Sequence, residues 1–313
     1  MGGYVLRRIL ATIPVMGVVA VLVFLMLRLS PGDPAAIVAG DDATTEDIAR
    51  IREHLGLDRP MLTQFVIWLG HLVQGDLGNS IFLARPVLGL ILERVEPTLA
   101  LALTTMLFAV LLAVPMGVVA AWRHGSWLDQ SIMALSVLAF SVPVFLIGYG
   151  LVMGFALELD LLPVQGFVSL GEDPLAFARH LVLPTVTLGL VYTALLARIT
   201  RGTMLEILNE DFIRTARAKG LGERRVLLMH ALKNASVPIV TTIGTGLALL
   251  IGGVVVTESV FAIPGIGRLT IEAVLQRDYP VIQGVILVVA GTYVLVNLLI
   301  DLSYCLLDPR IRY

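Results

Sequence analysis

Charge is scarce in this sequence. Only 15% of its 313 residues are Asp, Glu, Lys or Arg, while 57% are hydrophobic and the mean hydropathy is +0.90. Soluble domains carry about 25% charged residues, so this composition excludes an ordinary soluble enzyme. Disorder is excluded too, because it needs low hydrophobicity with a high net charge, and the net charge here is −2. That near-neutral balance also argues against nucleic acid as a partner. Lysine is reduced to Lys219 and Lys233, neither of which follows a glycine, so the chain has no P-loop. The lone cysteine, Cys305, has no second thiol in the chain to pair with and says nothing of redox compartment. His54, His71, His124, His180 and His230 fall in separate loops without Cys or carboxylate at metal-ligand spacing. We therefore expect no catalytic residues, no metal and no cofactor on this chain.

What is present is apolar sequence in long runs. A helix needs about 20 apolar residues to cross roughly 30 Å of hydrocarbon. Six stretches qualify: Ile9 to Leu27, Thr98 to Ala121, Ser131 to Leu157, Leu181 to Ala197, Val237 to Val256 and Ile282 to Leu307. They lack the alternation of barrel strands, and unpaired backbone is costly in lipid, so helices are expected. The first run follows Arg7 and Arg8 as a signal peptide would, but it exceeds the usual h-region, and Ser30-Pro31-Gly32-Asp33-Pro34 is a poor cleavage site. The expectation is an all-α membrane protein with six spans.

Lys and Arg in short loops resist translocation and so set orientation. With the N-terminus inside, the inner segments 1–8, 122–130, 198–236 and 308–313 hold 13 of the 22 basic residues, eight of them in 198–236. The short outer loops, 158–180 and 257–281, hold only Arg179, Arg268 and Arg277. Both termini are expected in the cytoplasm. Segment 28–97 carries six basic and ten acidic residues, consistent with an outer location.

Two segments outside the lipid carry information. In 28–97, Thr44 with Asp47 resembles an N-cap box before Ile48, and Gly56 is placed to end that helix. Leu62, Phe65, Val66, Leu69, Leu72 and Val73 then form a helical stripe that stops at Gly75, read as packing on the neighbouring spans in preference to a ligand surface. In 198–236, Asn209 or Asp211 is placed to cap a helix through Lys219, with Gly220 as its left-handed stop. A second helix, Glu223 to Asn234, is expected before Pro238 opens the fifth span. Composition leaves two readings of this basic loop open: it lies on anionic headgroups, or it docks on a cytoplasmic partner.

Ionisable residues inside spans mark ion or proton pathways in secondary transporters. Here the expected spans hold almost none before Asp301, which disfavours a proton-coupled transporter. Small residues mark the spans instead. Gly150 and Gly154 form a GxxxG, and Gly244, Ala248 and Gly252 repeat that spacing, which permits close helix packing.

Over nearly its whole length the chain resembles the inner-membrane permease subunits of ATP-binding-cassette importers, in the dipeptide, oligopeptide and nickel family of the DppB/OppB type. The resemblance runs through Leu29-Ser30-Pro31-Gly32-Asp33-Pro34, Leu55-Gly56-Leu57-Asp58-Arg59-Pro60, Gln74-Gly75-Asp76-Leu77-Gly78 and Asp308-Pro309-Arg310-Ile311-Arg312. Its most specific part is Glu210-Asp211-Phe212-Ile213-Arg214-Thr215-Ala216-Arg217-Ala218-Lys219-Gly220-Leu221, which is similar to the EAA loop. Ala216 and Gly220 match the general pattern, whereas Arg214 and Thr215 replace its Glu and first Ala, and Pro238 lies farther from the glycine. Both departures look typical of the peptide-permease branch.

The resemblance implies the six-helix type I permease architecture. The first span with a small outer helical region would occupy 1–94, the permease core 95–307 and a cytoplasmic tail 308–313. It also implies that Asp211 to Gly220 form a coupling helix seated on an ATPase subunit, with Phe212 as an aromatic anchor. Thr257-Glu258-Ser259-Val260-Phe261-Ala262-Ile263-Pro264-Gly265-Ile266-Gly267 resembles the family's connection between the last two spans. There Glu258, Phe261, Pro264, Gly265 and Gly267 would form an outer gate with Phe261 as a plug, or a purely structural loop. The implied partners are a homologous second permease, two ATPases that bind ATP and Mg, an extracytoplasmic solute-binding protein and the lipid of a bacterial inner membrane. Peptides or a peptide-like solute such as glutathione are the implied cargo, with nickel or haem as alternatives. A membrane scaffold would not need the coupling motif.

Overall fold

The computed structural model describes residues 2–29, 35–36, 44–54 and 57–307. The Ser30-Pro31-Gly32-Asp33-Pro34 motif, the helix stop at Gly56 and the tail 308–313 lie outside the described residues. Helices dominate, and the β-pairing among the described residues is one isolated bridge between Asn79 and Pro86.

The apolar runs fold as the helical reading expects. The first, α1, spans Gly2–Leu29. Two short helices follow, α2 at Thr45–His54 and α3 at Met61–Val73. The start of α2 agrees with Thr44, whose carbonyl accepts from the Ile48 amide at 3.1 Å, and α3 ends before Gly75 at φ 81°. Its stripe is only partly used. Phe65 meets Phe24 of α1 edge-on at 5.1 Å, but Leu62 and Val73 stay 75% and 81% exposed and no α3 residue is buried.

Helix α4, Val87–Trp122, has 36 residues, about 54 Å at 1.5 Å per residue. It therefore extends well beyond the apolar run and carries Glu93, Arg94 and Glu96 with it. The third expected span is not one helix. It divides into α5, Trp127–Ser141, and α6, Val144–Leu151, which continues as a π turn over Val152–Glu158, and the two parts meet at 97°. Pro143 explains the break. Proline disfavours the helical region for the residue before it, and Val142 is extended at φ −84°, ψ 128°.

Helix α7, Pro174–Leu208, is capped by Asp173, whose carboxylate accepts from the Leu175 and Ala176 amides. After the short α8, Asp211–Ala218, the chain turns at Gly220 and re-enters helix at Glu223. A π turn over Val226–Ala231 leads into α9, Leu232–Gly253. The expected break at Pro238 is absent: the proline sits inside α9 and removes one N–H from the ladder without ending it. The final helices are α10, Val255–Val260, α11, Ile266–Gln276, and α12, Tyr279–Leu307. Among the described residues five helices are long and apolar enough to cross a membrane, and the bent α5–α6 pair makes a sixth crossing if it counts as one span.

The chain forms two compact units. One takes its described residues from Met1–Val5, Val95–Arg268 and Thr292–Tyr313, the other from Leu6–Arg94 and Leu269–Gly291. The second thus takes 269–291 from the region expected to belong wholly to the permease core. Inside it, Ser80 donates to the buried Asp278 at 2.5 Å, and Gln283 donates to the Val23 carbonyl at 2.9 Å. The larger unit has two apolar cores. One joins Leu101, Met106, Leu188, Leu250 and Phe261, and the other joins Val118, Met204, Ile213, Ala216 and Val226.

Candidate docking helix and outer loop

Helix α8 is short and strongly two-faced. Ile213 and Ala216, three residues apart, are buried in the core that contains Met204 and Val226. Asp211, Phe212, Arg214, Thr215, Arg217, Ala218, Lys219 and Gly220 are all exposed. Ala216, counted with the docking residues from sequence, thus faces inward and positions the helix. Phe212 is 42% exposed, so the chain's own loop does not enclose it. Burying an aromatic ring is favourable by several kcal/mol's worth of apolar area, on the order of 2–3 kcal/mol, and an exposed ring beside cations is the composition of an interface anchor.

The caps differ from those expected. Glu210 occupies the N-cap position without a side-chain cap, while the Asn209 side chain donates back to the Leu205 carbonyl at 2.9 Å. Asp211, inside the first turn, pairs with Arg214 at 3.1 Å on the open surface, where such a pair contributes little. The C-terminal end follows the glycine rule. Gly220 takes φ 78°, its amide donates to the Arg217 carbonyl, and the Leu221 amide donates to Ala216. Arg217 then closes the turn with a two-pronged hydrogen bond to Glu223, at 2.7 and 3.2 Å, which raises the guanidinium pKa further and keeps it charged. The result is a rigid, basic, one-aromatic knob on a helix–glycine–helix turn.

The outer loop is built around Glu258. This carboxylate is fully buried and accepts from the Thr98 hydroxyl at 2.6 Å and from the Arg268 amide at 2.9 Å. Thr98 in turn accepts from the Ile266 amide at 2.8 Å. Gly265 is required by space, because a Cβ there would overlap the Glu258 carboxylate, and one on Gly267 would lie 2.8 Å from the Val255 Cα. Pro264 bridges the turn between Ile263 and Gly265. Phe261 is 2% exposed, packed in a core with Leu181, Leu188 and Val254, and its carbonyl accepts from the Gly166 amide. The ring is enclosed by the chain's own residues and holds the loop to that core.

Small residues divide in the same way. A Cβ on Gly244 would overlap Ile300, and Ala248 is buried, so that side of α9 is closely packed. Around Gly150 and Gly154 no atom of another described segment lies within 4 Å of the Cβ position, so neither brings described helices together. The surroundings of Gly252 lie outside the described residues. Thr98 escaped the sequence reading because nothing local links it to a carboxylate 160 residues away. Among the described residues no three His, Cys, Asp or Glu side chains converge on a metal-sized site.

Known proteins resemble the chain along its whole length. The family described as binding-protein-dependent transport system inner membrane component matches residues 113–313, and its N-terminal companion matches residues 1–113. A relative from Sinorhizobium fredii (strain NBRC 101917 / NGR234), named "Probable peptide ABC transporter permease protein y4tP", is 52% identical over 313 residues, all of both chains. The "Glutathione transport system permease protein GsiC" of Salmonella choleraesuis (strain SC-B67) is 43% identical over 310 residues, 99% of each chain. Among solved structures, the inward-facing MetNI methionine ABC transporter shares the fold with a TM-score of 0.58 at 18% identity, covering 70% of this chain and 96% of that one.

Proposed function

The chain belongs to the family of binding-protein-dependent transport system inner membrane components, and from that premise we propose that it is the membrane-spanning subunit of an ATP-driven importer for peptides or peptide-like solutes such as glutathione. It is a multi-pass inner-membrane protein of the permease class and supplies the passage and the mechanical linkage, with ATP and Mg bound in partner subunits. In this reading α8 is the coupling helix. The observation that carries it is the division of α8 into an inward face, Ile213 and Ala216, and an outward face bearing Phe212, Arg214, Arg217 and Lys219. The inward face fixes the helix to the spans, so a partner pushing on the outward face moves the spans as well.

Both termini and α8 lie in the cytoplasm in this reading, which the excess of Lys and Arg in the inner segments supports. Two ATPase subunits, a homologous second permease and an extracytoplasmic solute-binding protein complete the assembly. Closure of the ATPase dimer on ATP drives α8 as a rigid body, and ATP shifts the equilibrium only by its differential affinity for the two conformations. The outer loop around Glu258 closes the far side, and Gly150 and Gly154 remain open for a helix of the second permease.

The test is isolation of the tagged chain from native membranes in gentle detergent. Stoichiometric recovery of an ATPase, lost in Phe212→Ala without loss of the chain itself, is expected. Recovery without any ATPase, or equal recovery with the variant, contradicts the docking role.

A further inference from the structure

One ion pair, its carboxylate buried and its guanidinium partly exposed, has no part in the docking helix or the outer loop. Asp129 stands in the first turn of α5 with its side chain only 4% exposed. Arg201 of α7 reaches it with a fork: Nε donates to Oδ1 at 2.5 Å and Nη2 to Oδ2 at 2.7 Å. The Gly125 amide donates to Oδ2 at 3.0 Å. His124 Nδ1 stands 3.2 Å from Oδ2 and 3.1 Å from Arg201 Nη2.

The position of Arg201 gives the pair its meaning. Seven residues, about two helical turns, separate it from Leu208 at the end of α7, and α8 begins at Asp211. Met204, three residues after Arg201, is fully buried in the core that holds Ile213 and Ala216. The same stretch of α7 is therefore keyed to α8 through Met204 and to α5 through Arg201. On its third side, Gly117 of α4 has no room for a Cβ, which would lie 2.6 Å from Thr200. At its far end α5 stops at the 97° bend before Pro143.

A buried ion pair is weak evidence for stability, since apolar packing of equal volume serves as well. What a guanidinium–carboxylate fork adds is direction: two parallel hydrogen bonds fix rotation and register between two helices where apolar contacts slide. Resting on the importer reading above, we propose that Asp129 and Arg201 are positioning residues of energy coupling, clamping α5 to α7 so that displacement of the docking helix reaches the Val142–Pro143 bend. The clamp touches neither ATP nor solute and acts on both through α7.

The experiment uses the complete complex in proteoliposomes with its solute-binding protein. Arg201→Lys keeps the charge and loses the fork, and Asp129→Asn keeps the shape and loses the charge. Each variant complex is expected to retain its ATPase subunits, while ATP hydrolysed per solute imported rises several-fold. The double variant should be no worse than the worse single one, because both remove the same clamp. An Arg201→Lys complex that imports with the wild-type ratio overturns the proposal. Spin labels on Trp127→Cys and Glu206→Cys, in a Cys305→Ser background with the pair intact, give a second reading that needs no change to the clamp. One distance distribution in all nucleotide states supports it, and a distribution that shifts on ATP binding overturns it. Absence of ATP-dependent uptake by the wild-type complex would sink the importer reading itself, whereas normal wild-type uptake with an unaltered Arg201→Lys ratio sinks only the clamp.

Discussion

Thr98 and Glu258, 160 residues apart in the chain, meet at 2.6 Å with neither exposed to solvent. The threonine hydroxyl donates to the carboxylate and accepts from the Ile266 amide, so one side chain ties the second span to both ends of the outer turn. Thr98→Val keeps the shape and removes both bonds, at about 2 kcal/mol for the one to the carboxylate and about 1 kcal/mol for the one from the amide. Thermal unfolding of the purified chain should show that loss, and Thr98→Ser should restore most of it. Equal midpoints for Val and wild type would show that the hydroxyl contributes nothing.

Neighbouring residues of α8 should separate by function. Ile213→Ala opens a cavity in a buried core and should destabilise the chain by about 2–5 kcal/mol. Phe212→Ala removes an exposed ring and should leave the unfolding midpoint unchanged while ATPase recovery falls. Unfolding measured beside co-purification checks both, and a lowered midpoint for Phe212→Ala would place the ring in the chain's own packing.

Two glycines of the same turn give a second contrast. Gly220 has φ 78°, where a β-branched side chain is strained by roughly 1–2 kcal/mol. Gly222 has φ −62° and open space about its Cβ position. Gly220→Val should uncouple ATP hydrolysis from uptake, Gly220→Asn should be milder, and Gly222→Ala should be silent. ATPase and uptake assays at matched expression report the result.

Close packing in the spans can be tested by adding one methyl group. Gly244→Ala forces Ile300 to move and should lower the unfolding midpoint, with overpacking costs of about 1–3 kcal/mol. Gly150→Ala meets no described residue beyond its own helix, so its unfolding should match the wild type. Reduced recovery of the second permease with Gly150→Ala would then report contact in the assembly.

Much of this architecture is legible in the sequence because membrane helices announce themselves by length and apolarity. The left-handed stop at Gly220 is legible for a similar reason, since a glycine after a capped amphipathic turn has few other uses. Local rules failed where two effects compete. Pro143 breaks a span that hydropathy reads as continuous, and Pro238, expected to open its span, sits inside a continuous helix. The outward face of α8 was found by motif, yet Ala216 within it turns inward, a distinction that needs the core beneath. Thr98, Asp129 and Arg201 were missed because their partners lie 160 and 72 residues away, and no periodicity encodes such a meeting.

The most direct measurement is peptide uptake by proteoliposomes containing this chain, its partner permease and their ATPases, with the solute-binding protein outside. Uptake should require both ATP in the lumen and the binding protein, and should vanish with Gly220→Val while the complex remains assembled. Uptake driven by a proton gradient in the absence of ATP would contradict the account.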